Sequence, residues 1–106
     1  MNIVNLTRGE VTIMREDGTV IQTIKPSGNI AYVTSETIRT GVINGIPTSS
    51  TIYGEIEGLP APEADTFYVT SSIVAQRARR NDVYAPKELV RNQSGAVIGC
   101  LSLGLG

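Results

Sequence analysis

Short β-branched segments separated by strong turn signals are the feature that most constrains the fold of this chain. Glu10–Arg15 alternates polar and apolar residues, and Thr19–Lys25 follows it after Asp17-Gly18, a pair typical of tight turns because glycine tolerates positive φ. Asn44-Gly45, the strongest hairpin signal in the chain, separates two further β-rich segments. This succession predicts a series of antiparallel hairpins.

One segment in the second half has helical character. Ile73–Arg80 has adequate helix propensity, and Ser71 or Ser72 can cap its N-terminus. The 106 residues are short enough to form one domain, residues 1–106. We predict a mainly β fold, a small antiparallel sheet or barrel-like sandwich built of hairpins, with one short α-helix at about residues 71–80. Whether the sheet is open or closes into a barrel stays undecided at this point.

The side chains that most enzymes use for catalysis are scarce. The chain has no histidine, which removes Ser-His-Asp and Cys-His arrangements and His-containing metal sites. Cys100 is the only cysteine and stands in an apolar strand, so we interpret it as a small buried hydrophobe, with a reactive thiol or an interchain contact as the alternative. The sequence therefore predicts no enzymatic activity and no cofactor.

Charge and hydropathy limit the partners. A net charge of −1 argues against general nucleic-acid binding and against attachment to anionic membranes. No apolar run approaches the roughly 18 residues of a membrane-spanning helix, and no secretory signal is visible, so we expect a cytoplasmic protein. Aromatic residues make up only 5% of a short chain, so the core is modest and a homo-oligomer is expected.

The charges are segregated along the second half. An acidic segment, which we interpret as a rigid loop over Glu55–Asp65, contains no basic residue and is followed by a basic stretch over residues 77–91. The acidic residues are Glu55, Glu57, Glu63 and Asp65, and the basic residues are Arg77, Arg79, Arg80, Lys87 and Arg91.

This basic stretch contains the best candidate for a binding site. The guanidinium forks of Arg77, Arg79 and Arg80 suit phosphate or carboxylate. The hydroxyls of Ser71 and Ser72 could hydrogen-bond the same anion, and Tyr84, in a predicted loop, could stack on a base. Alternatively, the arginines pair with the acidic segment or form an ordinary solvated helix face, and the serines only cap the helix. The sequence therefore predicts a small anionic, nucleotide-like ligand.

A set of segments spread over nearly the whole chain carries a family resemblance. These segments are Asn2–Thr7, Pro26–Gly28, Asn44–Pro47, Gly54-Glu55, Gly58–Pro60, Tyr68–Ser71, Val74-Ala75, Arg80–Asp82, Pro86, Leu89–Arg91 and Ile98–Cys100. Together they resemble a family of small uncharacterised proteins encoded by phages and prophages. Such proteins usually show Thr-Pro after the first strand, where this chain has Thr7-Arg8.

The resemblance implies an accessory phage protein of the bacterial cytoplasm. Proteins of this kind commonly counter host defence, and one class sequesters nucleotide immune signals such as cyclic oligonucleotides or ADP-ribose derivatives. The leading hypothesis is thus a non-enzymatic phage sponge for such a signal. The alternative is a protein-interaction module, either a defence inhibitor that binds a protein directly or a small virion or assembly component. A phosphodiesterase-like enzyme would need a metal site that the sequence does not display.

Overall fold

Strands dominate the structure. The computed structural model describes residues 1–106 and contains eight strands and one helix, which confirms the predicted mainly β fold built of hairpins with one short helix. In chain order the elements are β1 (Asn2–Asn5), β2 (Val11–Met14), β3 (Val20–Ile24), β4 (Tyr32–Ile43), β5 (Ile46–Glu57), β6 (Thr66–Val69), α1 (Ser72–Ala78), β7 (Val83–Arg91) and β8 (Val97–Leu105).

Six of the strands form one sheet whose two edges meet. The strand order is β1-β6-β7-β8-β2-β3, which places β1 and β3 at opposite edges. Asn5 at the end of β1 nevertheless pairs with Pro26 just after β3, and its carbonyl oxygen accepts a hydrogen bond from the Ser27 backbone N–H at 3.0 Å. The sheet is therefore barrel-like, closed at one end through Asn5.

The pairing is mixed rather than purely antiparallel. β1 with β6, β6 with β7 and β2 with β8 are parallel, while the β2–β3 and β7–β8 hairpins are antiparallel as predicted. Helix α1 connects β6 to β7 as a crossover, which a parallel pair requires. Parallel partners lie far apart in sequence and share no turn, so turn signals could not reveal them.

Two hydrophobic cores lie on opposite faces of this sheet. The first packs Val74 and Ala75 of α1 against the sheet, and its other buried residues are Leu6, Ala31, Tyr68, Val83 and Ala85. The second faces away from α1 and is formed by Val11, Ile24, Val69 and Cys100. Strands from both halves of the sheet contribute to the second core, so the sheet curls around it.

Cys100 belongs to the second core. Its side chain is buried, and burial raises the pKa of the thiol above its ordinary value. The thiol is therefore kept protonated and unreactive, as predicted for a small buried hydrophobe.

Strands β4 and β5 form a separate two-stranded ribbon that projects from the body. We call this ribbon, with its Asn44-Gly45 turn, the arm. Each strand has 12 residues, so β5 includes Glu55–Glu57 and the acidic loop is shorter than predicted, residues 58–65. Only the base of the arm, through Val33 and Ile56, packs on the first core. The radius of gyration is 16.7 Å, against about 13 Å for a compact chain of this length.

Helix α1 ends earlier than predicted. It spans Ser72–Ala78 instead of about 71–80, because Arg79 adopts the left-handed conformation (φ 51°) that terminates a helix. Arg79 and Arg80 therefore lie beyond the helix. The fold contains no helix with the length and apolar character needed to cross a membrane.

Candidate functional site

Arg80, one of the predicted site residues, makes most of its contacts within the fold. Its guanidinium donates two hydrogen bonds to the Asp82 carboxylate at 2.9 and 2.8 Å, and a third to the carbonyl oxygen of Pro60 at 2.8 Å. It also lies over the Tyr68 ring, 5.8 Å from the centroid. Arg80 therefore fastens the acidic loop through a main-chain carbonyl, and three of its five N–H donors are used within the fold.

The arginines do not pair with the acidic segment inside the chain. Arg80–Asp82 is the only ion pair, so the interpretation that Arg77, Arg79 and Arg80 neutralise Glu55–Asp65 is not supported within one copy. The loop is held instead by its backbone, because the Tyr68 hydroxyl also donates to the carbonyl oxygen of Ala61.

The Arg80–Asp82 pair makes stability depend on pH. The hydrogen bonds from Arg80 hold the pKa of Asp82 below its ordinary value, so the contribution is complete at pH 7 and is lost as the pH falls from about 4 through the folded-state pKa. We expect Asp82→Asn to lower the unfolding free energy by about 1 kcal/mol at pH 7. Urea unfolding from pH 7 to pH 2 should show the difference vanish at acid pH. Glu63→Gln, which breaks no ion pair, should match the wild type throughout.

Arg77 and Arg79 form an open basic surface. Arg77 lies 5.7 Å above the Tyr53 ring and donates one hydrogen bond, at 3.3 Å, to the carbonyl oxygen of Gly54. Arg79 is exposed and forms no ion pair. Together with Gln76 they line a shallow depression of about 320 Å³. The depression is lined by these three polar side chains alone, so it has charge but no apolar floor.

The remaining predicted residues do not converge with these arginines. Ser71 is the N-cap of α1 but makes no side-chain capping bond, and Ser72 is exposed. Tyr84 lies in strand β7, not in a loop, and its ring packs edge-on against Phe67 with centroids 5.3 Å apart. Its neighbours Val83 and Ala85 face α1, so Tyr84 points to the other face of the sheet. The six residues therefore do not form one site.

Ser71 instead belongs to a crevice near the carboxyl ends of β1 and β6. These strands are adjacent and parallel, so the segments that follow them meet at one edge. The crevice has a volume of about 310 Å³. It is lined by Leu6, Thr7, Arg8, Ile30, Ala31, Tyr32 and Ser71.

The polar groups of this crevice are held by Asn5. The Asn5 amide oxygen accepts hydrogen bonds from the backbone N–H and hydroxyl of Thr7 at 2.9 and 2.6 Å, and the amide nitrogen donates to the carbonyl oxygens of Gly9 and Ile24, both at 2.9 Å. The turn that carries Arg8 is thereby fixed from both sides. Arg8 is the only charged residue of the lining and forms no ion pair.

Tyr32 provides an aromatic wall. Its residue surface is 52% exposed although it adjoins the buried Ala31, so the ring is available to a planar ligand. An unpaired guanidinium, an exposed ring and two hydroxyls around an apolar floor are the elements of a site for a small anion with a planar group. Sequence reasoning missed Arg8 and Tyr32 because the contact that brings them together, from the Ala31 N–H to the Leu6 carbonyl oxygen, joins segments 25 positions apart and leaves no local signal.

Another depression, of about 170 Å³, lies between β2 and the β7–β8 hairpin. Glu10 is its only charged lining residue. A carboxylate repels anions, so this depression fits the predicted ligand poorly, and the crevice around Arg8 is the better candidate.

Comparison of the chain with models of known protein families, with curated proteins and with solved structures finds no match.

Proposed function

We propose that this chain is a non-enzymatic binding protein that sequesters a small phosphorylated, nucleotide-like molecule. The observation that carries the proposal is the crevice, where an unpaired Arg8, the exposed ring of Tyr32 and the Ser71 hydroxyl lie around one apolar floor. Each of these groups can bind a ligand without breaking a bond, so a binding role accounts for the whole site.

Each group has a distinct task in this proposal. Arg8 offers a planar fork that fits two phosphate oxygens, and the Ser71 hydroxyl adds a further donor. The single proton of the Thr7 hydroxyl is already shared between the Asn5 amide oxygen and the Gly9 carbonyl oxygen, so its remaining role is to accept a hydrogen bond from a ribose hydroxyl. Stacking of a base on Tyr32 would contribute about 1–3 kcal/mol.

The biological setting that we propose is a phage protein of the bacterial cytoplasm that removes a nucleotide-derived immune signal, a cyclic oligonucleotide or an ADP-ribose derivative. A sponge needs affinity and no turnover, which suits a crevice with one guanidinium, hydroxyls and a ring. Its resemblance to small phage proteins and the absence of histidine support this setting.

Ligand binding can be measured directly on the purified protein. We expect ADP-ribose or a cyclic dinucleotide to raise the melting temperature, because a ligand at 100 times its dissociation constant stabilises the folded state by about 2.7 kcal/mol. Mass spectrometry of molecules released by denaturation should recover the ligand unaltered, whereas an altered ligand would indicate an enzyme.

Variants locate the site. Arg8→Ala and Tyr32→Ala should each weaken binding at least about tenfold, while the double variant Arg77→Ala with Arg79→Ala, which removes twice the charge from the other basic surface, should bind like the wild type. The reverse pattern would return the site to the arginines around α1. Unchanged melting with every nucleotide would refute the proposal.

The exposed arm favours one alternative function, a protein-interaction module that acts as a defence inhibitor or as a virion component. An apolar surface on a projecting ribbon is typical of protein contacts. This alternative predicts a host or virion protein that co-purifies with the chain, together with no stabilisation by any nucleotide.

A further inference from the structure

The two faces of the arm differ in what they contact. Between Ile46 and Tyr53 strand β5 is regular, so alternate residues point to opposite sides. Tyr53 lies under Arg77 beside α1, and this side is the inner face of the arm. Ile52 therefore points away from the body, to the outer face.

Isoleucines dominate that outer face. Cross-strand partners share a side, so the register places four isoleucines and one charged residue there. The isoleucines are between 39% and 65% exposed. The outer face consists of Glu36, Ile38, Gly41, Ile43, Ile46, Thr48, Ser50 and Ile52.

A ribbon of this kind is not stable in isolation. A two-stranded hairpin is at best marginally stable in water, and strands usually have five or six residues rather than 12. Beyond Val33 and Ile56 the arm receives no support from the hydrophobic core. Its length and its apolar outer face therefore call for a surface that covers it.

The accessible surface of the chain indicates how large an interface would be needed to cover the arm. The accessible surface is 7165 Å², about 1,400 Å² more than the roughly 5,700 Å² expected for a folded monomer of 11.3 kDa. Obligate homodimers bury on the order of 1,000–2,500 Å² on each partner. This excess, taken over the whole chain, falls within the range that one subunit contributes to an obligate interface.

We propose that the outer face of the arm is the interface with a second copy of this chain. Two identical isoleucine faces are complementary to each other across a twofold axis, and each copy supplies the same patch. Sheet faces pack about 10 Å apart through interdigitated apolar side chains, as these isoleucines allow. This interface is independent of the nucleotide site, so either proposal can fail without the other.

Single lysine substitutions on the two faces test the interface. In sedimentation equilibrium at micromolar concentration, the wild type should have at least twice the 11.3 kDa chain mass. Ile38→Lys and Ile52→Lys should raise the dissociation constant at least about 30-fold, as for central interface residues. Thr37→Lys and Thr51→Lys, which pair with each other on the inner face, should leave it unchanged. With one charge on the outer face, added salt should have little effect.

A second measurement protects the test against variants that fail to fold. Ser50→Cys lies on the outer face, and a bifunctional maleimide that spans the gap of about 10 Å between packed sheet faces should join it to the second copy, while the buried Cys100 should not react. Thr51→Cys on the inner face should not be joined to the second copy. A wild-type mass of 11.3 kDa, equal crosslinking at both positions, or a stable complex with a different protein on the arm would each overturn the proposal.

Discussion

Replacing Asn5 with aspartate should cost about 3 kcal/mol or more of unfolding free energy, the largest effect of any single substitution considered. Asn5 is only 1% exposed, and its amide nitrogen donates to the carbonyl oxygens of Gly9 and Ile24. A carboxylate would turn both hydrogen bonds into contacts between acceptors and would bury an unpaired charge. The barrel would then open where Asn5 joins β1 to the end of β3.

Asn92 offers a matched control for this substitution. Its amide oxygen accepts from the Ser94 backbone N–H, the Ser94 hydroxyl and the Ala96 backbone N–H, while its amide nitrogen donates to nothing. A carboxylate keeps all three acceptor contacts, so Asn92→Asp should be neutral. Urea unfolding of both variants at pH 7 measures the difference. Equal stability of the two variants would show that the amide nitrogen of Asn5 does not hold the closure.

Gly58→Ala should be the second most damaging substitution, by about 2–3 kcal/mol. Gly58 has a φ of 80°, which alanine adopts only with strain, and a Cβ there would overlap the carbonyl oxygen of Ile30. Because Ile30 and Ala31 line the crevice, the displacement should also weaken ligand binding.

Gly45 offers a control that separates backbone strain from overlap with Ile30 as causes of the stability loss. Its φ of 78° is nearly the same, but nothing lies within 4 Å of the Cβ position. Gly45→Ala should therefore cost only the backbone strain, about 1 kcal/mol. Thermal unfolding of the two variants gives the comparison, and a loss at Gly45 as large as that at Gly58 would mean that the overlap with Ile30 is relieved at no cost.

The predictable part of the fold is the part encoded by neighbouring residues. Asp17-Gly18 and Asn44-Gly45 each reverse the chain between two adjacent strands, and the β2–β3 and β4–β5 hairpins follow from them. Strand β1 pairs along its whole length only with β6, more than 60 residues away, so nothing near Asn2–Asn5 marks its partner. The barrel closure joins Asn5 to Pro26, which are 21 positions apart and share no turn, so the sequence does not reveal it.

The site was harder to predict than the fold. The basic stretch drew attention to Arg80, yet a carboxylate two residues away, Asp82, already occupies that guanidinium. Tyr84 points to the face of the sheet opposite α1, because side chains alternate along β7 and its neighbours Val83 and Ala85 pack beneath the helix. Arg8 and Tyr32 are 24 positions apart and meet only because the turn after β1 and the start of β4 lie side by side.

Tyr32 connects the crevice to the arm, because it begins β4. A ligand that stacks on Tyr32 and a second copy that covers the arm would therefore act on the same strand. Any effect of the ligand on association must then be matched by an equal effect of association on ligand affinity.

The mixed topology also dictates when this protein can fold during its synthesis. The local hairpins β2–β3 and β4–β5 can form as soon as they leave the ribosome, within microseconds. The parallel partner of β1 is β6 and that of β2 is β8, so β1 cannot pair until residues 66–69 have been made, and β2 cannot complete its pairing until residues 97–105 have been made. At 5–20 residues per second that delay lasts several seconds. Throughout it the nascent chain exposes unpaired strand edges, the kind of surface on which other chains can add a strand.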